Sequence, residues 1–305
     1  SPLDASTWCT LDARLLKDYD RFYGLQFIWL DIHLALIVCA GERIAMQAFV
    51  PTSRTVRAWA VVCHGYYDHV GLYGPLIRDL LLRDIAVITF DQPGHGLSTG
   101  DRANIADFQQ YVDVIEVIHK FAAKSALDKP LHWFGQSMGG ALVMEYWQQR
   151  KLEKPTGELV LLAPLVRPYA WPLMRWAFAL AKATVKARPR NMSSNMQNQE
   201  FVRLLAADPL QAKVLPVSWV QAMVKWFNQF EAYPSSTLPL NIIQGYEDRT
   251  VSFRHNLRVL KRRYLNAAIH IIPAARHHLV NEVPAIYAEI WAWLDDLCDW
   301  YKFKS

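Results

Sequence analysis

One hexapeptide carries the sharpest chemical signal. Gly135-Gln136-Ser137-Met138-Gly139-Gly140 follows an apolar run at 131–134 and precedes a helical pattern over 141–149. A serine at a tight strand-to-helix turn, with glycine two before and two after, is held clear of the sheet edge. The next amide, that of Met138, then points where an oxyanion would form. Ser137 is the expected nucleophile. A hydroxyl is a poor nucleophile near neutral pH and needs a base. In this arrangement the acid and then the histidine follow the serine along the chain. Asp248 is the expected acid, just after the run 240–244, with Glu247 as the alternative. His277 is preferred as general base over its neighbour His278, because His277-x-Leu279-x-x-Glu282 frames it. His277 would take the Ser137 proton as the hydroxyl attacks a carbonyl. Asp248 would fix the imidazole tautomer and stabilise the imidazolium.

A second oxyanion donor must come from the loop after an earlier strand. His64-Gly65-Tyr66 follows the run 59–63, so the Tyr66 N–H is expected to join that of Met138. The Tyr66 ring would narrow the acyl site. His255 falls in a helical pattern and His270 in a strand, so both read as structural.

These residues need a frame. Apolar runs at 59–63, 85–90, 131–134, 159–163, 240–244 and 269–272 alternate with helical spacing at 72–83, 105–124 and 284–300. Asn104 is the expected N-cap of the second helix, and Val251 is expected to open another after Asp248. Continuous apolar strands separated by helices imply a mostly parallel sheet covered on both faces. Such sheets carry reactive residues at the strands' carboxyl ends. The apolar stretch 22–41 is interrupted by Asp31 and His33, and a charge at mid-membrane costs about 3 kcal/mol. It reads as a hairpin with a turn at Cys39-Ala40-Gly41-Glu42. The alternation breaks at 165–236, a helical insertion with no clear strand. The expected division is a first core part, 1–164, the insertion, 165–236, and a second core part, 237–305.

The ordered motifs resemble a known family. His64-Gly65 with His69, Gly71 and Tyr73 is similar to the H-G-x-x-x-H-x-G-x-Y block of monoacylglycerol lipases and bacterial lysophospholipases. Residues 90–98, Phe-Asp-Gln-Pro-Gly-His-Gly-Leu-Ser, resemble their F-D-x-x-G-H-G-x-S loop. The elbow at Ser137, Leu162-Ala163-Pro164, Gly245-x-x-Asp248 and His277-x-Leu279-x-x-Glu282 complete the series in order. The resemblance implies an α/β-hydrolase fold with a helical cap inserted late in the chain. It implies hydrolysis of lipid-like carboxylic esters, of monoacylglycerol or lysophospholipid type, without metal or organic cofactor. It makes Asp91 and His95 loop-shaping residues. The chain departs from the pattern at Tyr66, where the lipases commonly carry a small residue, and throughout the cap.

Composition sets the outer limits. The chain has 305 residues, 52% apolar and 20% charged, with a formal charge of +5. That excludes a disordered chain and a disulfide-stapled miniprotein. The insertion holds nine basic against three acidic side chains, a net of +6, which leaves −1 for the rest. Basic residues on an apolar insertion, with no recognised binding motif, argue against a nucleic-acid role. They suit a cap that meets a lipid surface, with Trp171 and Trp176 as expected substrate contacts. The partner implied is a small lipid-ester substrate. Cys9, Cys39, Cys63 and Cys298 form no metal or redox spacing and read as free thiols. A cytoplasmic protein, peripheral on the inner membrane face, is the expected setting. Three other readings compete. Two are enzymes on the same fold, a short-chain carboxylesterase and an amidase or aminopeptidase. The third is a catalytically silent binding module, which would show a missing triad member.

Overall fold

The computed structural model describes residues 13–27, 30–150, 153–181, 185–190 and 196–304. Cys9 and Lys182 lie outside them. The chain starts with α1 (Ala13–Tyr23), then β1 (Leu30–Cys39) and β2 (Glu42–Pro51), which pair antiparallel about the Ala40-Gly41 turn. The apolar stretch is therefore a hairpin, as its interrupting polar residues require. Next come β3 (Ala58–Cys63), α2 (Gly74–Leu82), β4 (Ile85–Phe90), α3 (Gln109–Ala126), β5 (Leu131–Gln136), α4 (Met138–Gln149) and β6 (Leu159–Leu162). After an interruption the pattern resumes with β9 (Leu240–Gly245), α8 (Phe253–Arg263), β10 (Ala267–Ile272) and α9 (Pro284–Leu297). One eight-stranded sheet runs β1-β2-β4-β3-β5-β6-β9-β10, parallel from β4 to β10.

Alternate residues of the strands feed two apolar clusters, one on each face. Trp59, Val61 and Cys63 of β3 pack with α3 and α4, whereas Ala58, Ala60 and Val62 pack with α2 and α9. This is why the strands read as continuous apolar runs and not as alternating ones.

The interruption holds α5 (Trp171–Ala181), β7 (Ala187–Pro189), α6 (Gln199–Ala207), β8 (Val214–Pro216) and α7 (Val217–Ala232). β7 and β8 pair antiparallel, Ala187 opposite Pro216, so the insertion does contain strand. Three residues each, with proline in both, leave too short a pattern to read from sequence. Two helix starts also differ from expectation. α3 begins at Gln109, and Asn104 Oδ1 instead accepts from the Ser218 hydroxyl at 2.7 Å, tying α7 to the core. α8 begins at Phe253, because Val251 is held in a bridge to Pro168.

The elbow rests on one close approach. A Cβ on Gly139 would lie 2.0 Å from the Cys63 carbonyl oxygen, so the first turn of α4 touches β3 backbone to backbone. Neither partner is a flexible side chain that could yield. Gly139→Ala is expected to lower stability by about 3 kcal/mol, the upper end for overpacking a core. Urea unfolding checks this; a loss below about 1 kcal/mol would mean that α4 can slide.

Candidate active site

Ser137 sits at the carboxyl end of β5 with φ 53°, a left-handed conformation that costs a non-glycine residue energy. Its amide donates to the Leu162 carbonyl at 2.8 Å, and its own carbonyl accepts from the Leu165 amide at 3.0 Å. The turn is thus locked to β6. The Ser137 hydroxyl lies 2.9 Å from His277 Nε2, and His277 Nδ1 lies 2.7 Å from Asp248 Oδ2. A carboxylate only accepts, so Nδ1 carries the proton. Nε2 is left with a lone pair, which accepts from the hydroxyl.

Each member is positioned separately. Asp248 follows β9; its other oxygen accepts from the Thr250 and Val251 amides at 2.7 and 3.0 Å. The Gln244 side chain donates to Oδ2 at 2.9 Å. His277 follows β10, and its carbonyl accepts from the Gln136 side chain at 2.9 Å. The alternative acid, Glu247, is exposed and pairs with Arg276 at 3.8 Å. Burial alone would raise the Asp248 pKa, but His277 and the amides hold it below the ordinary carboxylate value.

The turn after β3 closes over the serine. A Cβ on Gly65 would fall 3.5 Å from that of Ser137. Tyr66 follows in the same turn. Met138 opens α4, where first-turn amides have no helical acceptor. Among the described residues neither the Tyr66 nor the Met138 amide meets a protein acceptor. Beneath the turn, His64 Nδ1 donates to the Gly65 carbonyl at 2.8 Å, while Nε2 accepts from the Gln92 amide at 2.8 Å. Burial, with His95 nearby, lowers the His64 pKa to about 3, so it holds the turn as a neutral ring.

With this geometry in place, known proteins bear on the chain. The Hydrolase_4 family, described as serine aminopeptidase S33, matches residues 54–284. The chain belongs to this family. It is 27% identical to the monoglyceride lipase of Homo sapiens over 277 residues, covering 85% of this chain and 89% of that protein. It is 26% identical to the monoacylglycerol lipase of Mycolicibacterium smegmatis, covering 85% and 93%. A soluble variant of the Saccharomyces cerevisiae monoglyceride lipase superposes with a TM-score of 0.77 at 17% identity, covering 92% and 98%. The sheet is that of an α/β-hydrolase.

Within this family member, several residues do what sequence could not tell. His278 is not spare. Its Nε2 meets Asp68 Oδ2 at 3.2 Å, and that oxygen also accepts from the Tyr73 hydroxyl at 2.9 Å. The Tyr73 oxygen in turn accepts from the Gly65 amide at 2.8 Å. The residue beside His277 is thus wired to the turn that holds Tyr66. Asp91 accepts from the Val70 and Leu97 amides, both at 2.7 Å, in a purely loop-shaping role. The Tyr66 ring stacks on Trp219 of α7 at 3.7 Å, and its hydroxyl donates to the Ala103 carbonyl. Trp171 is buried edge-on to Phe227. Trp176 is 65% exposed with Arg175 over its ring, a surface position and not a pocket wall. His255 pairs with Glu231 and His270 with Glu289, both away from Ser137. Among the described residues no group of three His, Cys, Asp or Glu side chains could hold a metal ion.

Asp68 is buried, which would raise its pKa; His278, His64 and Tyr73 outweigh this and hold it well below the ordinary value. A depressed carboxylate contributes stability above its unfolded pKa of about 4, and loses it as pH falls below that value. Asp68→Asn removes this share. The variant is expected to be less stable at pH 7 and to lose stability less steeply between about pH 4 and 2. Urea titrations across that range test it; a slope equal to wild type would remove Asp68 from the balance.

Proposed function

We propose that the chain is a serine ester hydrolase acting on lipid monoesters through an acyl-enzyme. Ser137 is the nucleophile, His277 the general base and Asp248 the acid. The observation that carries this is the unbroken hydrogen-bond chain from Asp248 through His277 to the Ser137 hydroxyl. As the hydroxyl attacks the ester carbonyl, its proton passes to His277 Nε2. The Tyr66 and Met138 amides receive the oxyanion. His277 then protonates the leaving alcohol, and water repeats the cycle on the acyl-serine. A silent binding module would need none of this connected geometry.

The substrate class rests on the relatives, which are monoglyceride and monoacylglycerol lipases. The segment 165–236 acts as a cap between core parts 1–164 and 237–305. Its Trp219 lies on the ring of Tyr66, so the cap reaches the proposed oxyanion turn. No helix among the described residues is long and apolar enough to cross a membrane. Peripheral contact is supported by α5, where Leu173, Met174 and Trp176 are exposed beside Arg175.

The family description also raises an aminopeptidase, which must hold a substrate ammonium with a carboxylate. Buried acids of this region are already committed: Asp68 to His278 and Tyr73, Asp208 to His69 and Tyr23, Asp91 to the Val70 and Leu97 amides, and Glu282 to the Arg276 and Gln197 amides. Arg190 lies over the Tyr67 ring at 4.1 Å, adding a cation beside the turn that carries Tyr66. Ester chemistry is therefore favoured. A panel of p-nitrophenyl esters, monoacylglycerols, lysophospholipids and aminoacyl anilides decides. Turnover should be confined to the esters. Ser137→Ala and Asp248→Asn should each lower kcat by about 10⁴-fold or more. Turnover retained by Ser137→Ala, or anilides cleaved faster than esters, would overturn the assignment.

A further inference from the structure

A groove of about 870 Å³ is lined by Asp248 with Tyr169, Tyr246, Glu247, Arg249, Arg254 and Arg276 among others, and neither Ser137 nor His277 is part of its wall. The main chain builds it. The Tyr169 amide donates to the Thr250 carbonyl at 2.9 Å, and Pro168 bridges to Val251. The approach to α5 is thereby fixed against the loop between β9 and α8. Arg276, from the loop after β10, completes the wall.

The charges are unevenly matched. Glu247 lies 3.8 Å from Arg276, whose guanidinium also donates to the Met196 carbonyl. Asp248 spends its oxygens on His277, Gln244 and two amides. Among the described residues no carboxylate pairs with Arg249 or Arg254. Arg254 is nonetheless held in place. It donates to the Tyr246 hydroxyl at 3.0 Å and lies over the Phe253 ring at 4.7 Å. The Arg249 and Arg254 guanidiniums thus line an open groove without a paired carboxylate, while Glu247 of the same wall faces Arg276, and Arg254 is already oriented. The first turn of α8 opens at the same place, adding the partial positive charge of a helix N-terminus. A guanidinium presents a planar fork of donors that matches phosphate oxygens in pairs. The exposed Tyr169 and Tyr246 at the groove offer further hydroxyl donors beside apolar rings.

We propose that this groove is a phosphate-binding site, separate from the ester-hydrolysing centre, built on Arg249 and Arg254 with Arg276 behind them. Its ligand is a phosphate ester, carried either on a lipid head group or on a small soluble molecule. Arg249 follows Asp248 in the chain, but neither arginine side chain is among the hydrogen-bond partners of Ser137, His277 or Asp248, so occupancy and ester turnover are separable.

The test compares wild type, Arg249→Gln/Arg254→Gln, and the charge-matched control Arg258→Gln/Lys261→Gln, which removes two exposed cations elsewhere on α8. Each protein is titrated calorimetrically with sn-glycerol 3-phosphate at low salt. Each is also floated with phosphatidylcholine vesicles, with and without phosphatidylglycerol. Turnover of p-nitrophenyl butyrate reports that the centre is intact and is expected to be unchanged in all three. The expected result is saturable binding by wild type and control, weakened at least tenfold in the groove variant. Binding of the soluble ester marks a free phosphate ligand. Preference for anionic vesicles alone, lost in the groove variant, marks a lipid head group. No binding in either arm, or equal weakening in the control, overturns the site.

Discussion

The contact on which the site depends is made of backbone alone. The first turn of α4 lies directly on the end of β3, with room for no atom beyond hydrogen at Gly139. This contact sets how far the Ser137 turn stands above the sheet. It also sets the distance from that turn to the His64-Gly65-Tyr66 loop that leaves β3. A side chain at Gly139 would push the two apart, and the Ser137 hydroxyl and the Tyr66 and Met138 amides would no longer face one point. The parallel register does the rest. β5, β9 and β10 all end at the same edge, so Ser137, Asp248 and His277 meet although 140 positions separate the first and last in the chain.

Three buried histidine–aspartate pairs crowd this edge: His277 with Asp248, His278 with Asp68 and His69 with Asp208. Their chemistry differs by what lies beyond the imidazole. Only His277 presents its second nitrogen to a hydroxyl on a strained turn. His278 leads through Asp68 and Tyr73 to the Gly65 amide, and His69 leads through Asp208 to the Tyr23 hydroxyl. The latter two act as ties. One joins the loop after β10 to the turn after β3; the other joins the insertion to α1. A buried charge is tolerable only when paired and hydrogen-bonded, and each of these carboxylates is.

The insertion is bound more tightly than its composition suggests. Trp226 donates to Glu145 of α4 at 2.9 Å, Ser218 reaches Asn104, and Trp219 covers Tyr66. Several of its cations are also engaged. Arg167 pairs with Glu231, and Lys225 with Asp107. The net +6 counted along the segment is therefore not a free positive surface. The unpaired guanidinium charge at the Asp248 side comes from Arg249 and Arg254, which sequence arithmetic assigned to the near-neutral core.

The sequence alone determined the elbow, the order of serine, acid and histidine, and the sheet class. These are local or periodic properties: a glycine-spaced turn, apolar runs and the chain order they impose. It preferred Asp248 to Glu247 and His277 to His278 through motif frames, and these two are the residues that the structure hydrogen-bonds to one another and to Ser137. Its misses were of one kind. Asn104 reads as a cap but serves α7, Trp176 reads as a substrate contact but faces solvent, and β7 with β8 escaped notice. For Asn104 and β7 the deciding partner is remote in sequence, Ser218 and a strand more than twenty positions away; for Trp176 it is exposure to solvent, which the packing of the whole chain sets. The second role of His278 needed Asp68, 210 positions distant. Residue type and spacing can name a nucleophile. Which buried imidazole reaches it, and which only braces the turn beside it, is set by three-dimensional packing.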